Sequence, residues 1–372
     1  MTTKILLSCG ARPNFMKIAP VQRLLSRRLD CDSVLVHTGQ HFDREMSQDF
    51  FDVLELPAPD VHLGVGGAAS WEQLSSIIAK LTPVLIDARP DVVVVAGDVM
   101  STLATGLAAA TLDIPVAHIE AGLRSRDWAM PEEKNRVLTD RLSRILFTPS
   151  ADADENLHAE GITEGIHLVG NVMIDSLEWI LPRLDPARVL EAYDVTAGEF
   201  GLVTLHRQSN VEDRVVLEGI VRALTEIARD LTLLFPVHPR TQARLTEYGI
   251  SLDAPGLVAL PPISYDHFTA LTARAALVLT DSGGIQEESV VVGTPCLTLR
   301  ENTERPITLV GGMNELVGTD PDRIVKAAAA RVAGGRGAAQ RPPLWDGRAA
   351  ERIVDVLVGD AERARDIEEG VA

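Results

Sequence analysis

The chain has 372 residues, 46% of them hydrophobic, with 35 Lys+Arg against 53 Asp+Glu and a net charge of -18. That length is enough for two domains with separate cores. The acidic balance argues against a nucleic-acid or anionic-membrane partner, which needs a basic surface. No apolar run approaches the roughly 20 residues that span a bilayer.

In chain order, short apolar runs predict strands at Ile5–Ser8, Ser33–His37, Val92–Ala96, Val116–Ile119, Ile145–Thr148 and His167–Val169. A second series is expected at Gly201–Leu205, Thr232–Val237, Leu257–Leu260, Ala276–Thr280 and Cys296–Leu299. Between them, Ile18–Leu29, Ser70–Ala88 and Val215–Ala228 carry helical periodicity. Strand–helix alternation predicts parallel sheets covered by helices on both faces. A polar, proline-containing stretch at Leu181–Gly198 separates the series. The expected fold is therefore α/β: two Rossmann-like domains with the active site in the cleft between them, beyond the carboxyl ends of the strands. The boundaries are expected at 1–172 and 173–350, with a closing helix in 351–372 that packs back toward the N-terminal domain. Met1 to Ile5 enters a strand pattern at once, unlike a signal peptide. Cys9, Cys31 and Cys296 are odd in number and widely spaced, as buried thiols in a reducing cytoplasm would be.

The motifs that follow strands carry the chemistry. After the first strand, Ser8-Cys-Gly-Ala-Arg-Pro-Asn-Phe-Met-Lys places Arg12 and Lys17 near a helix start. They read as a cation pair for a diphosphate, or as solvated surface cations. In Gly97-Asp-Val-Met, Asp98 reads equally as a cleft-facing acid or a helix N-cap. In His118-Ile-Glu-Ala-Gly-Leu-Arg-Ser, Glu120 falls at a strand end, partly buried, as acid–base work requires. His118 fits a packed core histidine, and Arg124 is placed to pair with a carboxylate or with the ligand. Pro131, Glu132 and Glu133 are good helix-start chemistry, which suffices for both glutamates. His206 and Arg207 close the first strand of the second series, and His238 and Arg240 form a weaker pair. Most informative is Leu279-Thr-Asp-Ser-Gly-Gly-Ile-Gln-Glu-Glu, a strand that turns through Asp281, Ser282, Gly283 and Gly284 into a helix. A helix N-terminus offers free N–H groups to a phosphate. The two carboxylates, expected within the first turn, suit sugar or ribose hydroxyls. Arg305 and Glu304 end the series. Gly64-Val-Gly-Gly lacks the strand–helix context of a dinucleotide loop. The histidines are scattered, and no metal site is expected.

As an ordered set, these segments closely resemble the non-hydrolysing UDP-N-acetylglucosamine 2-epimerases over nearly the whole chain. The most specific are Gly97-Asp, His118-Ile-Glu-Ala-Gly-Leu-Arg-Ser, Pro131-Glu-Glu-Lys-Asn-Arg, Gly170-Asn, His206-Arg and Asp281-Ser-Gly-Gly-Ile-Gln-Glu-Glu. The resemblance implies a GT-B-type fold and interconversion of UDP-GlcNAc and UDP-ManNAc by elimination of UDP to a 2-acetamidoglucal and re-addition. It implies catalytic roles for Asp98, Glu120, Glu132 and His206, the last at the diphosphate leaving group. Arg12, Lys17, Ser282, Gly283 and Gly284 match diphosphate and nucleotide contacts, Phe268 a residue packing on uracil, Glu288 the ribose ligand and Arg305 a further substrate contact. Arg207 joins this binding set. The resemblance implies a homodimer; no cofactor is expected, and the cysteines and the N-terminus point to a cytoplasmic location.

The chain departs from the best-known bacterial pattern at Asn14, Val99, Met100 and Ser209, and Phe42 stands where an arginine often follows His41. The loop around Gly64 lacks an arginine matched to a second, regulatory UDP-GlcNAc site, so weak or absent allosteric activation is expected. Three rivals remain at this stage: a hydrolysing 2-epimerase, a GT-B glycosyltransferase and a catalytically silent nucleotide-sugar sensor.

Overall fold

The computed structural model describes residues 2–39, 51–66, 70–336 and 341–368; for Arg12 and residues 361–368 it describes the backbone alone. Gln40, His41 and Phe42 lie outside the described residues. The chain divides into two compact units, Met1–Ile180 with Pro343–Ala372, and Leu181–Pro342. The first unit extends past residue 172 because the helix Val172–Ile180 packs on the helix Arg12–Leu25.

The first unit holds a seven-stranded parallel sheet: β1 (Thr3–Cys9), β2 (Cys31–His37), β3 (Val61–His62), β4 (Val92–Ala96), β5 (Val116–Ile119), β6 (Ile145–Thr148) and β7 (Ile166–Leu168), in the order β3-β2-β1-β4-β5-β6-β7. The strand order reverses between β1 and β4, where ligands of open α/β sheets bind. Every residue of β4 and β5 is buried, as continuous apolar runs in a parallel sheet require. The helix Ser70–Ala88 lays Ile77, Leu81 and Leu85 on Val93, Val95, Leu6 and Val36.

The second unit holds a six-stranded parallel sheet: β8 (Phe200–Thr204), β9 (Thr232–Pro236), β10 (Leu257–Leu260), β11 (Leu277–Thr280), β12 (Cys296–Thr298) and β13 (Asn314–Leu316), in the order β10-β9-β8-β11-β12-β13. Alternation separates its two faces. Val203, Leu233, Phe235, Leu277 and Leu279 meet Leu217, Ile220, Val221 and Leu224 of the helix Arg214–Ile227, a stripe at helical spacing. Phe200, Leu202, Leu234 and Val278 face the opposite core with Ala270 and Leu271. The separating stretch carries the short helix Pro186–Ala192, started by Asp185 accepting from the Arg188 N–H at 3.2 Å.

After the second unit the chain returns to the first. Trp345 is buried and its indole N–H donates to the Pro149 carbonyl at 2.9 Å. The last helix, Ala349–Glu368, is started by Asp175, which accepts from the N–H groups of Ala349 and Ala350 at 3.1 and 2.7 Å. Burial pushes the Asp175 carboxyl up to about 6. Among the described residues no helix is long and apolar enough to cross a membrane, and no cluster of His, Cys, Asp and Glu has the makings of a metal site.

Candidate functional site

In the first unit the site is built at the carboxyl ends of β1, β4 and β5. The turn Gly10–Ala11 leads into the helix Arg12–Leu25, with Pro13 in its first turn. Asn14 fixes that turn: its Oδ1 accepts from the N–H groups of Gly10 and Ala11 at 3.3 and 3.2 Å, and its Nδ2 donates to the Ala96 carbonyl at 2.6 Å. An uncharged amide can both accept and donate here, which a glutamate cannot. One turn further on, Lys17 is only 4% exposed, so it is no surface cation. It forms a salt bridge with Glu120, which follows β5 and is itself buried. Gly97 makes this approach possible, because a Cβ there would stand 2.6 Å from Lys17 Nζ.

Asp98 follows β4. It is not the cap of the next helix, Met100–Ala110, whose N-cap is Val99. Its carboxylate accepts from Arg136 Nε at 3.0 Å and stays partly exposed, while Asn135 donates to its backbone carbonyl at 2.8 Å. Glu132 and Glu133 open the helix Pro131–Leu142. Glu133 is buried and structural: it accepts from the N–H groups of Ser125 and Arg126 at 2.9 and 2.8 Å and pairs with Arg136. Glu132, its neighbour, is half-buried and takes no part in that cage among the described residues. Arg124 pairs with protein carboxylates, Asp140 at 2.7 Å and Glu160 at 2.7 Å. The Arg12 side chain lies outside the described part.

In the second unit the centre is Asp281, just past β11 and fully buried. It accepts from the N–H groups of His206 and Arg207, from Asn210 Nδ2 at 3.2 Å and from His206 Nδ1 at 2.9 Å. Burial pushes its carboxyl up, but His206 and these N–H groups outweigh that and hold it below its ordinary value. The ring is thereby oriented by one nitrogen, while His206 remains about a third exposed. Its predicted companion Arg207 donates to Glu304 at 3.2 Å, and Glu304 also pairs with Arg300 and Arg305 at 2.8 and 2.7 Å. Arg305 reaches Glu287 at 2.7 Å. Arg305 packs against the start of the helix Gly283–Val292, where a Cβ on Gly283 would stand 2.7 Å from its Nη1.

Ser282 is the N-cap of that helix and its side chain makes no capping bond. Glu287 and Glu288 fall beyond the first turn, contrary to expectation, because the helix already begins at Gly283, within the expected turn. Glu288 is buried, and its Oε1 accepts from the Tyr265 hydroxyl at 2.9 Å. Its Oε2 is buried with no hydrogen-bond partner among the described residues. Burial first, and Glu287 in addition, push the carboxyl up to about 7 against the Tyr265 bond. Phe268 lies one turn past Tyr265, half-buried on the edge of a core cluster. His238 is a helix N-cap accepting from the Arg240 N–H at 3.2 Å, a loop role.

Asp281, Tyr265, Arg136 and Asn14 are the contacts that sequence reasoning missed. Asp281 and Arg136 sit inside motifs already singled out; nothing local marks Tyr265.

The family model described as UDP-N-acetylglucosamine 2-epimerase matches residues 23–358. A UDP-N-acetylglucosamine 2-epimerase of Methanocaldococcus jannaschii is 39% identical over 95% of this chain and 98% of its own. A UDP-2,3-diacetamido-2,3-dideoxy-D-glucuronate 2-epimerase of Pseudomonas aeruginosa is 40% identical over 95% and 99%. The M. jannaschii UDP-GlcNAc 2-epimerase, solved in complex with UDP-GlcNAc and UDP, superposes with a TM-score of 0.89 at 38% identity, covering 96% of this chain and 100% of that one. A Siraitia grosvenorii UGT transferase in complex with UDP shares the fold alone, at 9% identity and a TM-score of 0.57. With its two parallel α/β sheets and a family match over most of its length, the chain belongs to the UDP-N-acetylglucosamine 2-epimerase family.

Proposed function

We propose that the protein is a non-hydrolysing epimerase that interconverts UDP-GlcNAc and UDP-ManNAc. The reading rests on the buried Lys17–Glu120 pair beside Asp98, a charged acid–base apparatus at the strand ends of the first unit. In the proposed reaction a base removes the C2 proton while the C1–O bond breaks and its electron pair leaves with UDP. The products are 2-acetamidoglucal and UDP. UDP then adds back at C1 as a proton is delivered to the opposite face of C2. The C2 hydrogen is weakly acidic, so positioned carboxylates and a stabilised leaving diphosphate share the barrier.

Asp98, Glu120 and Glu132 are assigned to the proton transfers. His206, held by Asp281, is assigned to the diphosphate, with Arg207, Arg305, Arg12 and the N–H groups of Ser282, Gly283 and Gly284. Lys17 acts through Glu120 rather than as a free diphosphate cation. The unpartnered Oε2 of Glu288 suits a ribose hydroxyl, and Phe268 is assigned to the uracil face. A second unit equipped to keep UDP after C1–O cleavage favours re-addition over release of free sugar.

The identity to relatives named for two different sugars is nearly equal, 39% and 40%. Both substrates therefore belong in the test, a proton NMR time course in D2O. UDP-ManNAc carrying deuterium at C2 supports the proposal, and free ManNAc with UDP indicates the hydrolysing route. Retention of the C2 proton in UDP-GlcNAc, with exchange in the diacetamido-glucuronate, moves the substrate to the modified sugar.

A further inference from the structure

The proposed chemistry leaves a fully buried pair, His118 and Asp140, without a role. His118 is on β5, two residues before Glu120, and Asp140 is on the helix that starts at Pro131 beside Glu132. His118 Nε2 lies 2.8 Å from the Gly97 carbonyl oxygen, and Nδ1 lies 2.7 Å from Asp140 Oδ1. A carbonyl only accepts, so Nε2 donates. Burial pushes the Asp140 carboxyl up, but His118 and Arg124 outweigh that and hold it below its ordinary value. Its oxygen stands opposite Nδ1 as the carbonyl stands opposite Nε2, so both ring nitrogens of His118 are turned to oxygen acceptors.

The other oxygen of Asp140 accepts from the Gly122 N–H at 3.1 Å and lies 2.7 Å from Arg124 Nη1. Through these bonds one buried carboxylate ties together three segments: the turn Gly97–Asp98 by way of His118, the turn Glu120–Gly122 directly, and the helix that carries Glu132. The second turn needs such a tie. Glu120 has φ +72° and Gly122 has φ +79°. A side-chain-bearing residue in the left-handed region persists only where its surroundings over-determine it. The N–H groups of Glu120 and Ala121 both converge on the Phe147 carbonyl at 3.0 Å, which completes the clamp.

We propose that His118 and Asp140 are positioning residues that hold Asp98, Glu120 and Glu132 in mutual register for proton transfer at C2, without contributing to UDP binding. The proposal rests on the 2-epimerase reading above. Both residues are fully buried, so the proposal gives neither a contact with the substrate. A displacement of about 1 Å in a catalytic group can cost on the order of 100-fold in rate.

The test uses two variants of the full chain. His118→Phe keeps a ring in place and removes both bonds. Asp140→Asn retains the bonding pattern, since its amide nitrogen donates to an imidazole nitrogen stripped of its proton while its oxygen keeps Gly122 and Arg124. Expected for His118→Phe is a fall in kcat of about 100-fold, with KM and UDP affinity within about twofold of wild type. Amide exchange at Gly97 and Asp98 should be at least about tenfold faster. Asp140→Asn should keep kcat within about fivefold. Should the phenylalanine variant not fold, His118→Asn, which keeps the Asp140 bond and loses the Gly97 bond, should show the same split between kcat and KM. Wild-type kcat in His118→Phe, a loss confined to KM, or equal losses in both variants would overturn the proposal. If wild-type protein shows no 2-epimerase turnover, the functional reading fails instead. The exchange comparison then decides alone, and unchanged exchange at Gly97 and Asp98 overturns the positioning role.

Discussion

Each unit ends its central strand on an aspartate. Asp98 follows β4, which pairs with β1; Asp281 follows β11, which pairs with β8. The two positions are topologically alike, yet their electrostatics differ. Asp281 is fully buried and spends its oxygens on four donors from three residues, so it orients His206 and has nothing left for a ligand. Asp98 is held on one side by Arg136 and remains partly exposed. The same contrast separates Glu120, paired with a lysine, from Glu288, which has a hydroxyl partner and one unmet oxygen. The first unit thus holds Asp98 and Glu120 against an arginine and a lysine, and the second holds one carboxylate that orients a histidine and one with an unmet oxygen; on the proposed reading the former move protons and the latter serve the nucleotide. A shared fold fixes where functional residues sit, while the immediate partners decide what they do.

The comparison breaks hardest at Glu120. Glu120→Gln should lower kcat by about 10⁴-fold, the upper end for a general acid or base, and leave UDP affinity unchanged. A steady-state assay with UDP titration checks both; a parallel loss of UDP affinity would erase the division between the sheets. Lys17→Met removes the cationic partner of a buried carboxylate, and a cost of about 3–5 kcal/mol in stability is expected, measurable by urea unfolding. Asp281→Asn should reduce kcat by about 10³-fold through disorientation of His206, with the fold retained by circular dichroism. If activity survives, the second aspartate is only a structural brace.

Glu288 sharpens the comparison through pH. Its carboxyl is raised from 4.5 to about 7, so the folded protein binds that proton more tightly than the unfolded chain. The favourable contribution is therefore complete below pH 4.5 and fades as pH rises to about 7, by on the order of 3 kcal/mol. Glu288→Gln should flatten that slope in denaturant unfolding measured across the window. Ribose hydroxyls donate to the ionised form, so UDP affinity should weaken as pH falls below about 7 in wild type and not in the variant. The smallest effect is expected at Gly97, where φ is +67° and a Cβ would press on Lys17. Gly97→Ala should cost about 1–2 kcal/mol by thermal unfolding.

Interior strands such as Val92–Ala96 were legible because a strand buried on both faces is a continuous apolar run. The edge strands Val61–His62 and Asn314–Leu316 were not, since two or three residues carry no readable period. Glu120 and His206 were legible as polar, titratable residue types just past strands. The partners were not, because pairing is tertiary: Glu120 meets a lysine 103 positions away, and His206 an aspartate 75 positions away. Tyr265 shows the limit most plainly: nothing in its local sequence marks a tyrosine on a short helix whose hydroxyl donates to Glu288. Asn14, read as a departure from pattern, proves to be a double-ended brace that a carboxylate cannot reproduce.

The return of the chain at Pro343 has a consequence for synthesis. The first unit is discontinuous: Trp345 and the helix capped by Asp175 are translated only after all of Leu181–Pro342. A ribosome therefore delivers the intervening unit as an uninterrupted segment, able to fold on emergence, while the N-terminal portion waits with the Pro149 carbonyl and the Asp175 carboxylate unmatched. Closing that long loop is the entropically expensive, sequence-distant step. The waiting species, apolar along the bed for the final helix, is the form from which misassembly and chaperone capture would start.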